Sequence, residues 1–251
     1  MKRKILTIIF SLITSIGFAQ QADQMALNGD EMYRQGDYAS AIQSYENAIG
    51  EGLSSDNLYY NLGNAYYRTG DMPHAILNYE RALRLKPSMK DAKENLALAN
   101  SKTVDQIEQL PKLFIVQIFD NLCTHVTPAA WRAIWLVLLA LLTAAVVCII
   151  IGRTLNLRQW GLRLSIFLAI LLLIATLFLI TSTSRFNSHA DAIVMQQTLT
   201  VKSSPETQSA DKLILHEGTR VHITESLSGW NRITIADGTS GWCATEAIER
   251  I

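Results

Sequence analysis

Three long apolar runs interrupt an otherwise mixed sequence, at residues 5–19, 133–152 and 164–183. The second and third contain no charged residue, and about 20 helical residues are enough to cross the hydrocarbon core of a bilayer. They predict two transmembrane helices, and with them the lipid bilayer as a partner of this chain. A buried helix of a soluble protein is the alternative, and two uncharged runs of this length disfavour it.

The first apolar run has the anatomy of a secretory signal. It follows Lys2-Arg3-Lys4 and ends in Gly17-Phe18-Ala19, which is small at the two positions that a signal peptidase reads. We therefore interpret residues 1–19 as a signal peptide outside the mature fold. The alternative is an N-terminal anchor that is not cleaved.

Charge in the short segment between the two predicted membrane helices indicates their orientation. Residues 153–163 contain Arg153, Arg158 and Arg163 and no acidic residue, and short basic loops stay in the cytoplasm. The signal peptide independently places the following region across the membrane. Both flanking regions are therefore expected on the outer side.

The region after the signal peptide contains an internal repeat. Shifting residues 61–82 back by 34 positions aligns Tyr67-Arg68-Thr69-Gly70-Asp71 with Tyr33-Arg34-Gln35-Gly36-Asp37. A period of this length predicts a stacked array of helix-turn-helix units.

The second copy carries a specific pattern of small and aromatic residues: Tyr59-x2-Leu62-Gly63-x2-Tyr66, Ala75-x3-Tyr79, Ala82 and Pro87. This pattern resembles the tetratricopeptide repeat family. Small residues let two helices approach closely, Gly70-Asp71 makes the turn, and Pro87 ends the second helix. The resemblance implies repeats at residues 22–55 and 56–89 and a capping helix at residues 90–103, within an array of residues 21–104.

About three stacked repeats are needed for stability, so two repeats and a cap are expected to need completion. Residues 104–122, a second copy of the chain in a homo-oligomer, or a partner protein could each provide it.

The resemblance implies that partners bind along the concave face, which the first helices line. From the first copy, the repeat register places Asp30, Tyr33 and Arg34 on that face. Arg34, Arg68 and Lys102 recur with the period of the repeat as a basic column. Asn64 and Asn95 resemble the asparagine pair with which some members grip a C-terminal carboxylate, although Tyr60 stands where the usual lysine would be. The other interpretation is that Tyr-Arg before Gly-Asp is repeat consensus that solvates the surface. With one residue from the C-terminal region, the partner-binding candidates are Arg34, Tyr60, Asn61, Asn64, Tyr67, Arg68, Asn95, Lys102 and Trp230.

A linker at residues 105–130 precedes the first membrane helix. It places apolar residues on one helical face, namely Phe114, Ile115, Ile118, Phe119 and Leu122. Such a helix could lie on the bilayer surface before Trp131 and Trp135, or its apolar face could cap the array.

Residues 190–251 change to short alternating runs broken by turn residues, which predict about five strands and a small barrel. The segments Leu199-x-Val201, Gly218-Thr219-x-Val221, Gly229-Trp230 and Asp237-Gly238-x2-Gly241-Trp242 resemble a bacterial SH3-type domain. We expect Cys243 and Trp242 in its core and Trp230 in a more exposed position. The expected fold class is thus a multidomain membrane protein with a tetratricopeptide array, two transmembrane helices and a small SH3-like barrel.

Composition and motifs disfavour an enzyme. Lysine plus arginine and aspartate plus glutamate both number 22, so bulk charge indicates no nucleic-acid partner. We find no phosphate-binding Gly-Lys-Ser/Thr loop, paired-histidine zinc motif or Gly-x-Ser-x-Gly elbow. Cys243 with His216 or His222 could imitate a catalytic pair, but a small barrel offers no helix N-terminus to activate the thiol. We expect no catalytic residue, cofactor or metal.

The order of these parts resembles the BatE-type family of the Bacteroides aerotolerance operon. That resemblance implies a non-enzymatic scaffold of the bacterial inner membrane, with its repeats and SH3-type domain in the periplasm. It implies von Willebrand A-type Bat proteins as partners, a MoxR-type ATPase as an indirect partner, and a role in aerotolerance or envelope stress. The alternative is a peptidoglycan-binding anchor that recruits cell-wall enzymes.

Overall fold

The computed structural model describes residues 20–107, 126–188 and 190–251, together with residues 114, 118, 119 and 122. The predicted signal peptide and Ile115 of the linker lie outside the described residues. The chain divides into two compact units. Residues 20–107 and 190–251 lie in the first, the repeat–sheet unit, and residues 126–188 lie in the second, the hairpin unit.

The N-terminal part of the repeat–sheet unit is a row of antiparallel helices. They are α1 (20–34), α2 (Tyr38–Gly50), α3 (Asp56–Thr69), α4 (Met72–Leu85) and α5 (Lys90–Asn100). Gly36 and Gly70 adopt positive φ at the ends of α1 and α3, which glycine does without steric cost. Asp37 and Asp71 then cap the next helix by accepting a backbone N–H. The predicted Gly-Asp turn is confirmed in both copies.

Small residues and tyrosines pack the array with the predicted period. A Cβ added to Gly63 would lie 2.8 Å from the Tyr79 ring, and one added to Gly29 would lie 2.5 Å from the Tyr45 ring. Both tyrosines are almost fully buried. Each glycine therefore sits where any side chain would collide with an immobile ring, and the two contacts occupy equivalent positions of successive repeats.

The C-terminal part is one antiparallel sheet of seven strands within residues 190–251. They are β1 (Asp191–Val194), β2 (Thr198–Lys202), β3 (Asp211–His216), β4 (Arg220–Leu227), β5 (Trp230–Thr234), β6 (Ser240–Ala244) and β7 (Ile248–Arg250). The spatial order is β3-β2-β6-β5-β4-β1-β7. Asp237 and Gly238 lie in the hairpin connection between β5 and β6, and Gly238 has positive φ.

The sheet corrects the barrel prediction. It has seven strands instead of five, and the outermost strands β3 and β7 are not paired with each other. The sheet is therefore open, although its strands share one apolar core. Strands β2 and β6 are joined by the single residue pair Lys202 and Trp242. Cys243 lies fully buried in that core, as predicted, and burial raises the pKa of its thiol to about 11. Trp242 is only half-buried, so its predicted core position is wrong.

The sheet packs against α4 of the array, a contact that the repeat pattern did not predict. Ile193 of β1 and Ile251 join the apolar cluster of α4, beside Ile76. Arg81 donates to Glu249 Oε1 and to the Arg250 carbonyl, both at 2.9 Å. The array is therefore covered on α4 by the C-terminal segment of its own chain.

A charge network reinforces this contact. Arg220 of β4 donates to Glu80 Oε1 of α4 at 2.7 Å and to Asp191 Oδ2 at 2.7 Å. The Glu80 side chain is 12% exposed, and burial raises the pKa of its carboxyl although Arg220 opposes the shift.

The segment that leaves α5 is fixed to the sheet as well. Asp105 accepts hydrogen bonds from the His216 backbone at 2.7 Å, the His216 ring at 2.8 Å and the Thr219 hydroxyl at 2.7 Å. A Cβ on Gly218 would lie 2.8 Å from the Thr103 methyl group. The chain is thus held against the sheet shortly before residue 108.

The hairpin unit contains two long apolar helices that pack side by side. They are α6 (Pro128–Ile151) and α7 (Leu155–Ser188). Both are long and apolar enough to cross a membrane, and most of their central residues are not buried by protein. Trp135 donates to the Thr176 hydroxyl at 2.9 Å between them. Residues 155–163 of the predicted loop are helical.

The described part of the linker contacts α7. The ring centroids of Phe119 and Phe178 are 4.7 Å apart. Phe114, Ile118 and Leu122 are exposed. Phe119 therefore packs against an apolar helix of the hairpin unit.

Candidate protein-binding groove

A polar pocket of about 230 Å³ lies on the first helices of the array. Its lining residues come mainly from α1 and α3; they are Asp30, Tyr33, Arg34, Tyr45, Asn61 and Asn64. Helix–helix packing places them together, because positions three and four apart share a helical face. Three of the predicted binding residues, Arg34, Asn61 and Asn64, line this pocket.

Two hydrogen-bond networks form the floor of the groove, one for each repeat. In the first, Tyr45 and Asn61 both donate to Asp30 Oδ1, at 2.7 and 2.9 Å. In the second, Tyr79 and Asn95 both donate to Asn64 Oδ1, each at 2.8 Å. Corresponding members of the two networks are separated by one repeat period, so the repeat carries a hydrogen-bond motif as well as a packing motif.

The second network affects the predicted asparagine pair directly. Asn95 Nδ2 donates to Asn64 and, at 3.3 Å, to the Tyr60 hydroxyl. The two amides and Tyr60 are thus brought together as predicted. They bond to one another, however, and the amide donor of Asn95 is already engaged within the array.

Each cation of the predicted basic column contacts a neighbouring side chain. Arg34 is paired with Glu31 at 3.0 Å. Arg68 donates to the Tyr38 hydroxyl at 2.7 Å. Lys102 lies 4.2 Å from the centroid of the Tyr67 ring. Contacts of cations with aromatic faces add modest stability at exposed sites, so the positions of Arg68 and Lys102 on the surface are restrained.

Trp230 is the candidate that the structure separates from the others. It is the first residue of β5, is half-buried, and pairs with Leu227 of β4 and Ala244 of β6. The pocket contains no residue of the sheet. Trp230 therefore belongs to a different surface from the groove.

Burial raises the pKa of the tyrosine phenols in the groove. Burial, together with the hydrogen bond to Asp30, raises the pKa of the Tyr45 phenol well above its ordinary value. Burial likewise raises the pKa of Tyr79 and Tyr33. These phenols stay neutral at physiological pH, and those of Tyr45 and Tyr79 donate hydrogen bonds.

Tyr45 is the pocket residue that the sequence analysis did not place in the groove. The repeat pattern predicts only a packing role for Tyr45, whose ring fills the space above Gly29, and only the structure shows its hydroxyl meeting Asp30. The repeat register placed Asp30 and Tyr33 on the concave face, and both line the pocket. Among the described residues, no three His, Cys, Asp or Glu side chains are grouped as metal ligands.

Comparison with known proteins supports the tetratricopeptide interpretation of the array. The family model for the tetratricopeptide repeat matches residues 27–90 and 60–100. No curated protein matches the chain.

Three solved structures are similar to parts of the chain. The second tetratricopeptide domain of Spaghetti (RPAP3) bound to the HSP90 peptide SRMEEVD is 24% identical, covers 33% of this chain and 77% of that one, and has a TM-score of 0.32. The first domain of Spaghetti (RPAP3) bound to the same peptide is 16% identical over 60% and 98%, with a TM-score of 0.31. The first such domain of human RPAP3 is 19% identical over 33% and 92%, with a TM-score of 0.24.

The family model, the period of the sequence repeat and the paired helices agree. Residues 27–100 of this chain therefore match the tetratricopeptide repeat in sequence, period and helix pairing.

Proposed function

We propose that this protein is a non-enzymatic, membrane-anchored adaptor whose tetratricopeptide groove holds a segment of a partner protein. The observation that carries the proposal is the pocket on α1 and α3, in which half-buried polar side chains line about 230 Å³. Pockets that enclose whole small molecules are typically about 300–1,000 Å³. A pocket below that range is suited to one side chain of a longer polypeptide.

The anchor is the pair of apolar helices α6 and α7, acting as a transmembrane hairpin. Contacts between the array and the sheet support this topology, because two segments that touch must lie on the same side of any membrane. An even number of crossings between residues 107 and 190 meets that requirement. Arg153 and Arg158 near the turn favour a cytoplasmic turn, and the proposed location of the repeat–sheet unit is therefore the periplasm.

The partners and the process proposed for the adaptor rest on its resemblance to the BatE-type family. On that basis the partners would be von Willebrand A-type Bat proteins of the same membrane, in a process of aerotolerance or envelope stress. The polar groove is consistent with a polypeptide partner of this kind.

Cross-linking the full-length chain in native membranes tests the adaptor function. The wild type is expected to capture discrete polypeptides. A variant with Arg68→Glu and Lys102→Glu, which reverses the basic column outside the pocket, is expected to lose them while its helicity is unchanged. Arg232→Glu is the matched control, because Arg232 is a half-exposed cation on the sheet. Unchanged capture by the double variant would refute the groove as the binding site. Retention of cell-wall fragments alone would favour the peptidoglycan anchor.

A further inference from the structure

The two floor networks of the groove are equivalent in geometry and different in charge. In each, a buried tyrosine hydroxyl and an asparagine amide donate to one Oδ1 atom. The accepting atom belongs to the carboxylate of Asp30 in the first network and to the amide of Asn64 in the second. Both side chains line the same pocket.

This single difference determines what each position offers to a ligand. Because Oδ1 takes both internal donors, the second terminal atom is left for the pocket. In Asn64 that atom is Nδ2, which only donates, whereas in Asp30 it is Oδ2, which only accepts. The pocket thus presents an acceptor with negative charge next to a neutral donor.

Asp30 lacks a cation of its own. Among the described residues, no Lys, Arg or His side chain forms an ion pair with Asp30, and its two neighbours in the network are neutral. Arg34 at the pocket rim is paired with Glu31 at 3.0 Å instead. A half-buried carboxylate gains most from a cationic donor, because hydrogen bonds between charged groups are about twice as strong as neutral ones.

The geometry points to a lysine or arginine side chain of the partner segment as the group that enters this pocket, with Asp30 as its counter-charge. Tyr33 lines the pocket beside Asp30, and its aromatic ring can flank a cation. Asn64 Nδ2 is placed to donate to a backbone carbonyl of the same segment. This specificity rests on the proposed function, and it differs from the capture of a C-terminal carboxylate that the asparagine pair predicted.

The chain supplies its own matched variant for a test. Asp30→Asn makes the first network chemically equal to the second, which already shows that an amide oxygen can accept from both donors. The substitution removes the charge and keeps the shape and the internal hydrogen bonds. Asn64→Asp is the reciprocal change and adds a second carboxylate to the pocket.

The probes are degenerate nine-residue peptide pools with one fixed central residue, either lysine, acetyl-lysine or glutamate. They are presented to the full-length chain in nanodiscs, and the retained peptide is quantified. The wild type is expected to retain the lysine pool about tenfold or more over the acetyl-lysine pool. Asp30→Asn is expected to bring that ratio close to one, and Asn64→Asp to raise it.

The outcomes distinguish failure of the cation specificity from failure of the proposed adaptor function. Equal retention of the lysine and acetyl-lysine pools, or an unchanged ratio in Asp30→Asn with native helicity, would overturn the cation specificity and leave the adaptor function standing. Retention of no pool by the wild type would overturn both.

Discussion

The substitution Gly63→Ala tests the packing rule on which the whole array depends. A Cβ at residue 63 would lie 2.8 Å from two atoms of the Tyr79 ring and 3.3 Å from the Ala75 carbonyl oxygen. Tyr79 has no exposed surface, and its hydroxyl is bonded to Asn64 at 2.8 Å. The ring therefore cannot move away without breaking the second floor network.

The magnitude follows from two opposing effects. Overpacking a core by one methyl group costs about 1–3 kcal/mol, and replacing glycine by alanine inside a helix returns up to about 1 kcal/mol. Because Tyr79 is fixed at both ends, we expect a net loss of about 1–2 kcal/mol in the opening free energy of α3 and α4. A change of this size alters the open population by a factor of about 5–30.

Hydrogen exchange of the full-length chain in nanodiscs measures this opening helix by helix. Peptides from α3 and α4 are expected to exchange faster in Gly63→Ala, by about the same factor. Gly50→Ala is the control, since a Cβ on Gly50 would meet nothing within 4 Å and its φ is not positive. Exchange in α3 and α4 that is unchanged or slower in Gly63→Ala would refute the packing rule.

Two further predictions concern the sheet and the membrane. Burial opposes ionisation of Asp105, but hydrogen bonds from His216 and Thr219 outweigh it and lower the pKa of its carboxyl. The lowered pKa stabilises the folded state above the unfolded pKa of about 3.9, and this stabilisation is lost as pH falls through the lower folded pKa. Asp105→Asn should therefore speed hydrogen exchange in β3 at pH 7 and approach the wild-type rate in acid, and equal rates at both pH values would contradict it. For topology, an impermeant thiol reagent added outside should label cysteines that replace Ser88 and Ser203 and spare Thr154→Cys; labelling of Thr154→Cys would refute the hairpin topology.

Local features of the array were predictable because they depend on near neighbours. The turn at Gly70-Asp71 needs a residue that tolerates positive φ followed by a helix cap, and both requirements are visible in the sequence. The contact of Gly63 with Tyr79 was implied by the repeat, since a stacked array places equivalent residues of each copy in the same contact.

The groove was predictable only in outline. The period correctly brought Asn61 and Asn64 to one pocket. It did not show that the Tyr45 hydroxyl reaches Asp30, because the direction of a side-chain hydroxyl depends on the packing of the ring below it. The charge difference between Asp30 and Asn64 was written in the sequence, but its importance appears only when both are seen to accept the same two donors.

By itself, the sequence determined the helical repeats, the two long apolar helices and the antiparallel strands, because each has a characteristic local period. Only the tertiary structure decided that the sheet stays open and that it covers α4. Arg81 and Glu249 are 168 positions apart, and no local period in the sequence indicates a contact at that separation. It depends on the complementarity of two finished surfaces, the apolar cluster around Ile76 and the strand residues Ile193 and Ile251, which exist only after each part has folded.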